Sequence, residues 1–228
     1  MSPPPTPDET VSPVIAVFDV DGTLYDLNTL YDFLERYHAG GSRIRQALFR
    51  TSRTLAGKVF WFGATRLTPG ELFRHLAFRS LRGERVADVT AACAAYVDEV
   101  LPAHARTAVS DRLQAYRASG AHVVLASGSL QQLIDAVAWQ VGADAALAVE
   151  LEVDRGRFTG RVVRDVRGQK WRVLQEAYPE LDRFDVVTDN QDDLEIVRAA
   201  TRATVVTRAR HRTWWDGQRL AHVEFVDV

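Results

Sequence analysis

Two acidic stretches far apart in the chain have the residue types and the surroundings to handle phosphate. The first, Phe18-Asp19-Val20-Asp21-Gly22-Thr23-Leu24, ends the apolar run Val14-Ile15-Ala16-Val17; the second, Val187-Thr188-Asp189-Asn190-Gln191-Asp192-Asp193-Leu194, ends Phe184-Asp185-Val186. In each, a short β-prone run stops at carboxylates and turn formers. The acids should therefore emerge at the carboxyl end of a strand, the edge at which crevices of open parallel sheets bind ligands. Converging carboxylates without a neutralising partner need a hard cation, and oxygen donors suit Mg²⁺. A carboxylate nucleophile can attack phosphorus and split hydrolysis into a phosphoenzyme step and a water step. A second carboxyl beside it can protonate the leaving oxygen and later activate water. Asp19 and Asp21, two apart across a strand end, have that spacing. A lone aspartate there also caps helices and seeds turns, so the specific signal is the whole Asp-x-Asp-Gly-Thr after an apolar strand.

Three further positions belong to the same chemistry. Ser127 follows Val123-Val124-Leu125-Ala126 and precedes a helical pattern, with Gly128 allowing close backbone approach. A strand-end hydroxyl beside a helix amino terminus cradles phosphate, and it is equally what an N-cap serine looks like. Lys170 lies just past Gly168 at a helix start. Only Lys58 and Lys170 are lysines among 28 basic residues, so a lysine here hints that a compact ammonium is required. Asp189, Asp192 and Asp193 read either as a solvated acidic helix start or, paired with Asp19, as metal ligands and their supports.

The elements that must position these residues follow from pattern and composition. With 228 residues, 46% hydrophobic, 25% charged and a net charge of −2, the chain is one large domain or a core with an insert. It can bury a sizeable core without staples, and its charge balance gives no reason to expect nucleic acid. The single Cys93 excludes an internal disulfide and fits a reducing, cytoplasmic setting. No apolar run reaches the length of a membrane span. Residues 1–12, rich in proline, read as a disordered tail rather than a signal peptide. Residues 13–24 and 104–228 alternate strands and helices, which predicts an α/β fold with a Rossmann-like parallel sheet. Ala121–Ala126 is expected as a strand running into a helix from Leu130 to Val141, and Ala203–Thr207 as the last core strand. Asp154-Arg155-Gly156 has the turn chemistry of a hairpin. Residues 25–103 show only helical spacing, in Leu27, Leu30, Tyr31, Phe33, Leu34 and Tyr37 and again in 72–78 and 86–100. This predicts an inserted helical cap with a small core of its own, hinged near Leu24-Tyr25 and Pro102-Ala103. The end, Arg208–Val228, carries no legible role.

The order strand–Asp-x-Asp-Gly-Thr, strand–Ser, Lys, strand–Asp-x-x-x-Asp resembles the haloacid dehalogenase superfamily of phosphohydrolases over about residues 14–207. The helical block directly after the first motif is similar to the phosphoserine-phosphatase-like branch, as is the hairpin segment Gly156-Arg157-Phe158-Thr159-Gly160-Arg161-Val162. The resemblance implies a Mg²⁺-dependent phosphatase that works through an aspartyl-phosphate. Asp19 is then the nucleophile, Asp21 the general acid/base, and Lys170 the cation that neutralises Asp19 and the phosphoryl group. Ser127, Gly128 and Thr23 surround the phosphate, and Asp189 ligates Mg²⁺ with Asp19 and the main-chain carbonyl of Asp21. Asp193 orients Lys170 or a metal-bound water, with Asp192 beside it. The chain departs from the pattern in Thr188, where glycine is usual, in Asp192, where asparagine is usual, and in lacking a glutamate after Thr23; Asp26 or Asn28 stands in for it as a substrate contact, with Tyr31 and the arginines between Arg43 and Arg53. A small soluble phosphate ester is the expected partner. The arrangement also resembles bacterial phosphatidylglycerophosphatases, in which case the basic, amphipathic stretch from Arg43 to Phe62 would lie on a membrane surface. A non-catalytic binding member of the fold is the contrasting class, and it has no need of Asp21.

Overall fold

The computed structural model describes residues 14–39 and 69–227. The proline-rich tail and the stretch from Arg43 to Phe62 lie outside the described residues. Seven strands form one sheet in the order β4-β3-β2-β1-β5-β6-β7. They are β1 (Ile15–Phe18), β2 (His122–Leu130), β3 (Ala145–Asp154), β4 (Arg157–Arg164), β5 (Phe184–Thr188), β6 (Arg202–Thr207) and β7 (Val223–Asp227). Every pairing is parallel except β3 with β4, the hairpin that turns at Arg155-Gly156. Since β2 lies on one side of β1 and β5 on the other, the strand order reverses at β1 and opens a crevice there.

Period-two alternation sorts the strand residues onto two faces. Ala16, Phe18, Val123 and Leu125 point into one buried cluster, and Val17, Val124, Ala126 and Val186 into the other. The second cluster is closed by α6 (Lys170–Ala177), α7 (Leu194–Ala199) and α8 (Ala209–Asp216). The first takes α4 (Thr107–Ala118) and α5 (Gln131–Val141), together with α1 (Thr29–Ala39), α2 (Pro69–Ser80) and α3 (Val86–Glu99) from the insert. Leu30, Phe33, Phe78, Leu81, Val89 and Cys93 share this cluster with Leu133 and Val137 of α5. The described insert helices therefore do not build a core of their own; they extend the sheet's core, because their apolar stripes face α5 and the hairpin.

Two expectations change. The strand expected to end at Ala126 continues to Leu130, so Ser127 is not a helix cap; α5 begins only after Leu130, without a side-chain cap. The chain beyond Thr207 is not featureless, since β7 adds a parallel strand against β6, with Ala203 opposite Val223 and Val205 opposite Phe225. Its mixed sequence hides an edge strand that is only partly buried. No described helix is long and apolar enough to cross a membrane.

The hairpin is where the insert docks. Main-chain bonds join Gly83 to Phe158 and Phe158 to Glu84, so the α2–α3 loop covers the β4 edge. Gly160, at φ +79°, lets α2 sit close: a Cβ there would meet Arg79 Cα at 3.1 Å. Gly160→Ala should lower unfolding stability by about 2 kcal/mol, from the left-handed backbone and the displaced helix together. Urea unfolding checks this, and an unchanged midpoint would show that α2 is free to move away.

Candidate active site

The crevice at the carboxyl ends of β1, β2 and β5 gathers residues from all of the acidic, serine and lysine positions. Asp19 follows β1, and its N–H donates to Val187 O at 2.9 Å, fixing the end of β1 against β5. Lys170 opens α6 with its side chain pointing inward. Its Nζ stands 2.7 Å from Asp19 Oδ1 and 2.7 Å from Asp193 Oδ2. All three side chains are buried. Burial works against the ammonium, yet the two carboxylates outweigh it and hold the Lys170 pKa above the ordinary lysine value. Burial pushes the Asp19 carboxyl up to about 7; Lys170 opposes this, while Asp193 and Asp189 reinforce it.

Asp21 is raised as well, chiefly by burial, with hydrogen bonds from Thr29 opposing. Its Oδ1 accepts the Thr29 N–H at 2.6 Å, and Ser127 Oγ lies 3.4 Å from Oδ2. Asp189 is raised by burial against the Thr23 hydrogen bond and Lys170. Gly22, at φ +80°, makes room for it: a Cβ there would stand 2.4 Å from Asp189 Oδ2.

Two buried hydroxyls set which oxygen is committed. Thr23 Oγ1 donates to Asp189 Oδ1 at 2.8 Å, accepts the Asp189 N–H at 2.8 Å, and lies 3.3 Å from Asp19 Oδ2. Thr188 Oγ1 donates to Asp193 Oδ2 at 2.6 Å, accepts the Asn190 N–H at 3.1 Å, and lies 3.4 Å from Asp19 Oδ2. Each hydroxyl has one proton and gives it to the nearer carboxylate. Asp19 Oδ1 is held by Lys170 and by the Val20 N–H at 2.8 Å, so Oδ2, on the side of Asp189, is the less committed oxygen.

This donor set fits a divalent cation. Among the described residues no three acidic, His or Cys side chains form a closed metal cage. Two carboxylates, Asp19 and Asp189, are nevertheless bridged by Thr23, and buried acids outnumber the one ammonium in contact with them. Asp193 Oδ1 is buried without a hydrogen-bond partner. Oxygen donors, excess negative charge and an orphaned acceptor suit Mg²⁺ better than a softer metal.

The cavity over these groups has a volume of about 360 Å³. Asp19, Asp21, Gly128, Lys170, Asp189, Asp192 and Asp193 line it, and so do Asn28 and Tyr31. Thr23 and Ser127 do not: both are fully buried, Thr23 bracing Asp19 and Asp189 from below and Ser127 lying against Asp21. Asp26 does not either, because His104 Nδ1 holds its carboxylate at 2.8 Å on the exposed surface. Asn28 lines the cavity while its Oδ1 accepts the Tyr31 N–H at 3.1 Å, capping α1. Asp192 is answered by Arg167 at 3.3 Å. Sequence reasoning missed Arg74 of α2 and Arg167, both on the cavity wall. In an arginine-rich chain no single arginine stands out, whereas a lysine does.

A profile of the haloacid dehalogenase-like hydrolases matches residues 16–198. A Mycobacterium tuberculosis protein described as a probable phosphatase is 27% identical over 218 residues, which cover 92% of this chain and 75% of that one. A Bordetella pertussis structure of unknown function superposes with a TM-score of 0.77 at 20% identity, over 95% of this chain and 99% of its own. A substrate-bound phosphoserine phosphatase superposes with a TM-score of 0.53 at 16% identity, over 86% of each chain. At such identities the two structures share the fold.

Two outcomes follow from this geometry. Thr188→Val removes a proton from Asp193 and an acceptor from Asn190, and should cost about 1–3 kcal/mol in denaturant unfolding, while Thr188→Ser costs less. The Asp19 carboxyl, raised from 3.8 to about 7 on folding, stabilises the fold fully below the lower value and loses that contribution as pH rises through the upper one. For metal-free protein, the stability of Asp19→Asn relative to the parent should therefore climb between those two pH values. A flat difference across that window would contradict the raised carboxyl.

Proposed function

The chain belongs to the haloacid dehalogenase-like hydrolase family and is a phosphatase within it; from that premise we propose that it hydrolyses small phosphate monoesters, with Mg²⁺, through an aspartyl-phosphate on Asp19. The observation that carries the reading is the buried Lys170 ammonium, 2.7 Å from Asp19, beside a second aspartate whose carboxyl is raised. A binding protein has no use for either group so placed.

The chain's own residues then divide the work. The Gly128 backbone seats the phosphoryl group against Asp19, with Ser127 buried behind it against Asp21. Lys170 favours the ionised form of Asp19 against its burial and offsets charge on the transferring oxygens, while Asp193, held in turn by Thr188, fixes the ammonium. As Asp19 attacks, the bond from phosphorus to the ester oxygen breaks, and protonated Asp21 gives that oxygen its proton. Thr29 holds Asp21 Oδ1, which leaves Oδ2, beside Ser127, to carry the proton. Asp21, now ionised, takes a proton from the water that attacks phosphorus and releases Asp19. Asp19, Asp189 and the main-chain carbonyl of Asp21 would hold Mg²⁺, which supplies positive charge for the phosphoryl oxygens in both steps. The need for a proton donor at Asp21 also favours phosphate esters over carbon–halogen bonds.

Phosphate release from a panel of amino-acid, sugar, nucleotide and lipid phosphates tests the reading. Activity is expected to vanish with EDTA and return with Mg²⁺, and Asp19→Asn should reduce it by a factor on the order of 10³ or more. Acid quenching during turnover should trap labelled phosphate on the parent protein and none on Asp19→Asn. Turnover that survives both EDTA and Asp19→Asn would sink the mechanism, and preference for lipid phosphates over all soluble esters would sink the substrate assignment.

A further inference from the structure

The cavity has an acidic floor and a basic outer wall. On the floor Lys170 stands among Asp19, Asp21, Asp189 and Asp193; on the wall are Tyr31, Arg74 and Arg167. Asp19 and that wall line one cavity of about 360 Å³.

The two guanidiniums are held very differently. Arg74 grips both oxygens of Asp165, one of them at 2.7 Å, and its Nε reaches Gly128 O at 3.4 Å. Its side chain is only 15% exposed. This arginine ties α2 to the core and is already spent on structure. Arg167 instead touches Asp192 through one nitrogen at 3.3 Å, with the two side chains 44% and 51% exposed. A single contact between exposed partners is weak, since water replaces it at little cost. A planar guanidinium in that state prefers a ligand that accepts two parallel hydrogen bonds.

We propose that Arg167 determines specificity by binding a second anionic group, a carboxylate or a phosphate, on the leaving group of the substrate. Asp192 holds the guanidinium over the cavity until that anion takes its place. Before substrate binds, Arg167 meets the charge of this acidic residue beside the phosphate site. Both residues lie within a few positions of Lys170 and Asp193, so the same backbone that orients the floor orients the pair.

The inference rests on the phosphatase reading, and matched esters separate the two. The ratio of kcat/KM for phosphoglycerate, and for glycerol bisphosphate, over that for glycerol phosphate measures the value of the second anion. The parent protein is expected to favour at least one anionic ester. Arg167→Gln should lower that ratio about tenfold or more, as expected for one charge-assisted hydrogen-bonded pair. Arg167→Lys, which keeps the charge and loses the fork, should fall between the two, and Asp192→Asn, which frees the guanidinium, should raise the ratio. Turnover of all three esters with a ratio that Arg167→Gln leaves unchanged for both anionic ones overturns this inference alone. Turnover of other phosphate esters of the panel but of none of these three also overturns this inference alone, whereas no turnover of any ester overturns the phosphatase reading and this inference with it.

Discussion

A buried ammonium between two buried carboxylates organises the rest of the site. Lys170 reaches Asp19 and Asp193 at once, and none of the three charges is tolerable in the interior without the others. That requirement fixes where three separate segments must end. The end of β1 supplies Asp19, the loop after β5 supplies Asp193, and the first turn of α6 supplies the lysine. Parallel pairing of β1 with β5, Phe18 opposite Val187, brings the two acidic ends together. Thr23 then ties the first loop to the second through Asp189, and Thr188 holds Asp193 within the second.

The site is also electrostatically unfinished by itself. Asp19, Asp21 and Asp189 are all raised, each mainly by burial, and one ammonium does not restore balance. Raised carboxyls in a crevice mark functional sites more often than structural ones, because stability alone would replace them with apolar side chains. The imbalance suits a divalent cation at Asp19 and Asp189, and burial holds the Asp21 carboxyl above its ordinary value.

Access to this floor is shaped by the insert, whose position depends on the hairpin. Gly160 admits α2, the α2–α3 loop covers the β4 edge, and Arg74 of α2 reaches Asp165 and Gly128. The insert is thus held through the core's own apolar cluster and through one partly buried ion pair. Tyr31 and Arg167 complete the wall.

The motifs themselves were legible in the residues, because their chemistry imposes local signatures. A carboxylate at a strand end requires an apolar run before it and a turn after it, and both runs are present around Asp19 and Asp189. The parallel core and the helices at 29–39, 69–80 and 86–99 were equally readable, since periods of 3.6 and 2 are properties of sequence. What the chain alone left open depends on contacts between segments far apart. Thr23 and Asp26 look alike as candidates for substrate contact; burial against Asp189 removes the first, and pairing with His104 on the exposed surface removes the second. The edge strand at Val223–Asp227 has no strong alternation, and it exists because β6 offers it a ladder. Arg74 and Arg167 are two arginines among many, given meaning only by the carboxylates that the fold sets beside them. Local chemistry follows from the order of residues; which charges meet, and which remain free for a substrate, follows from packing.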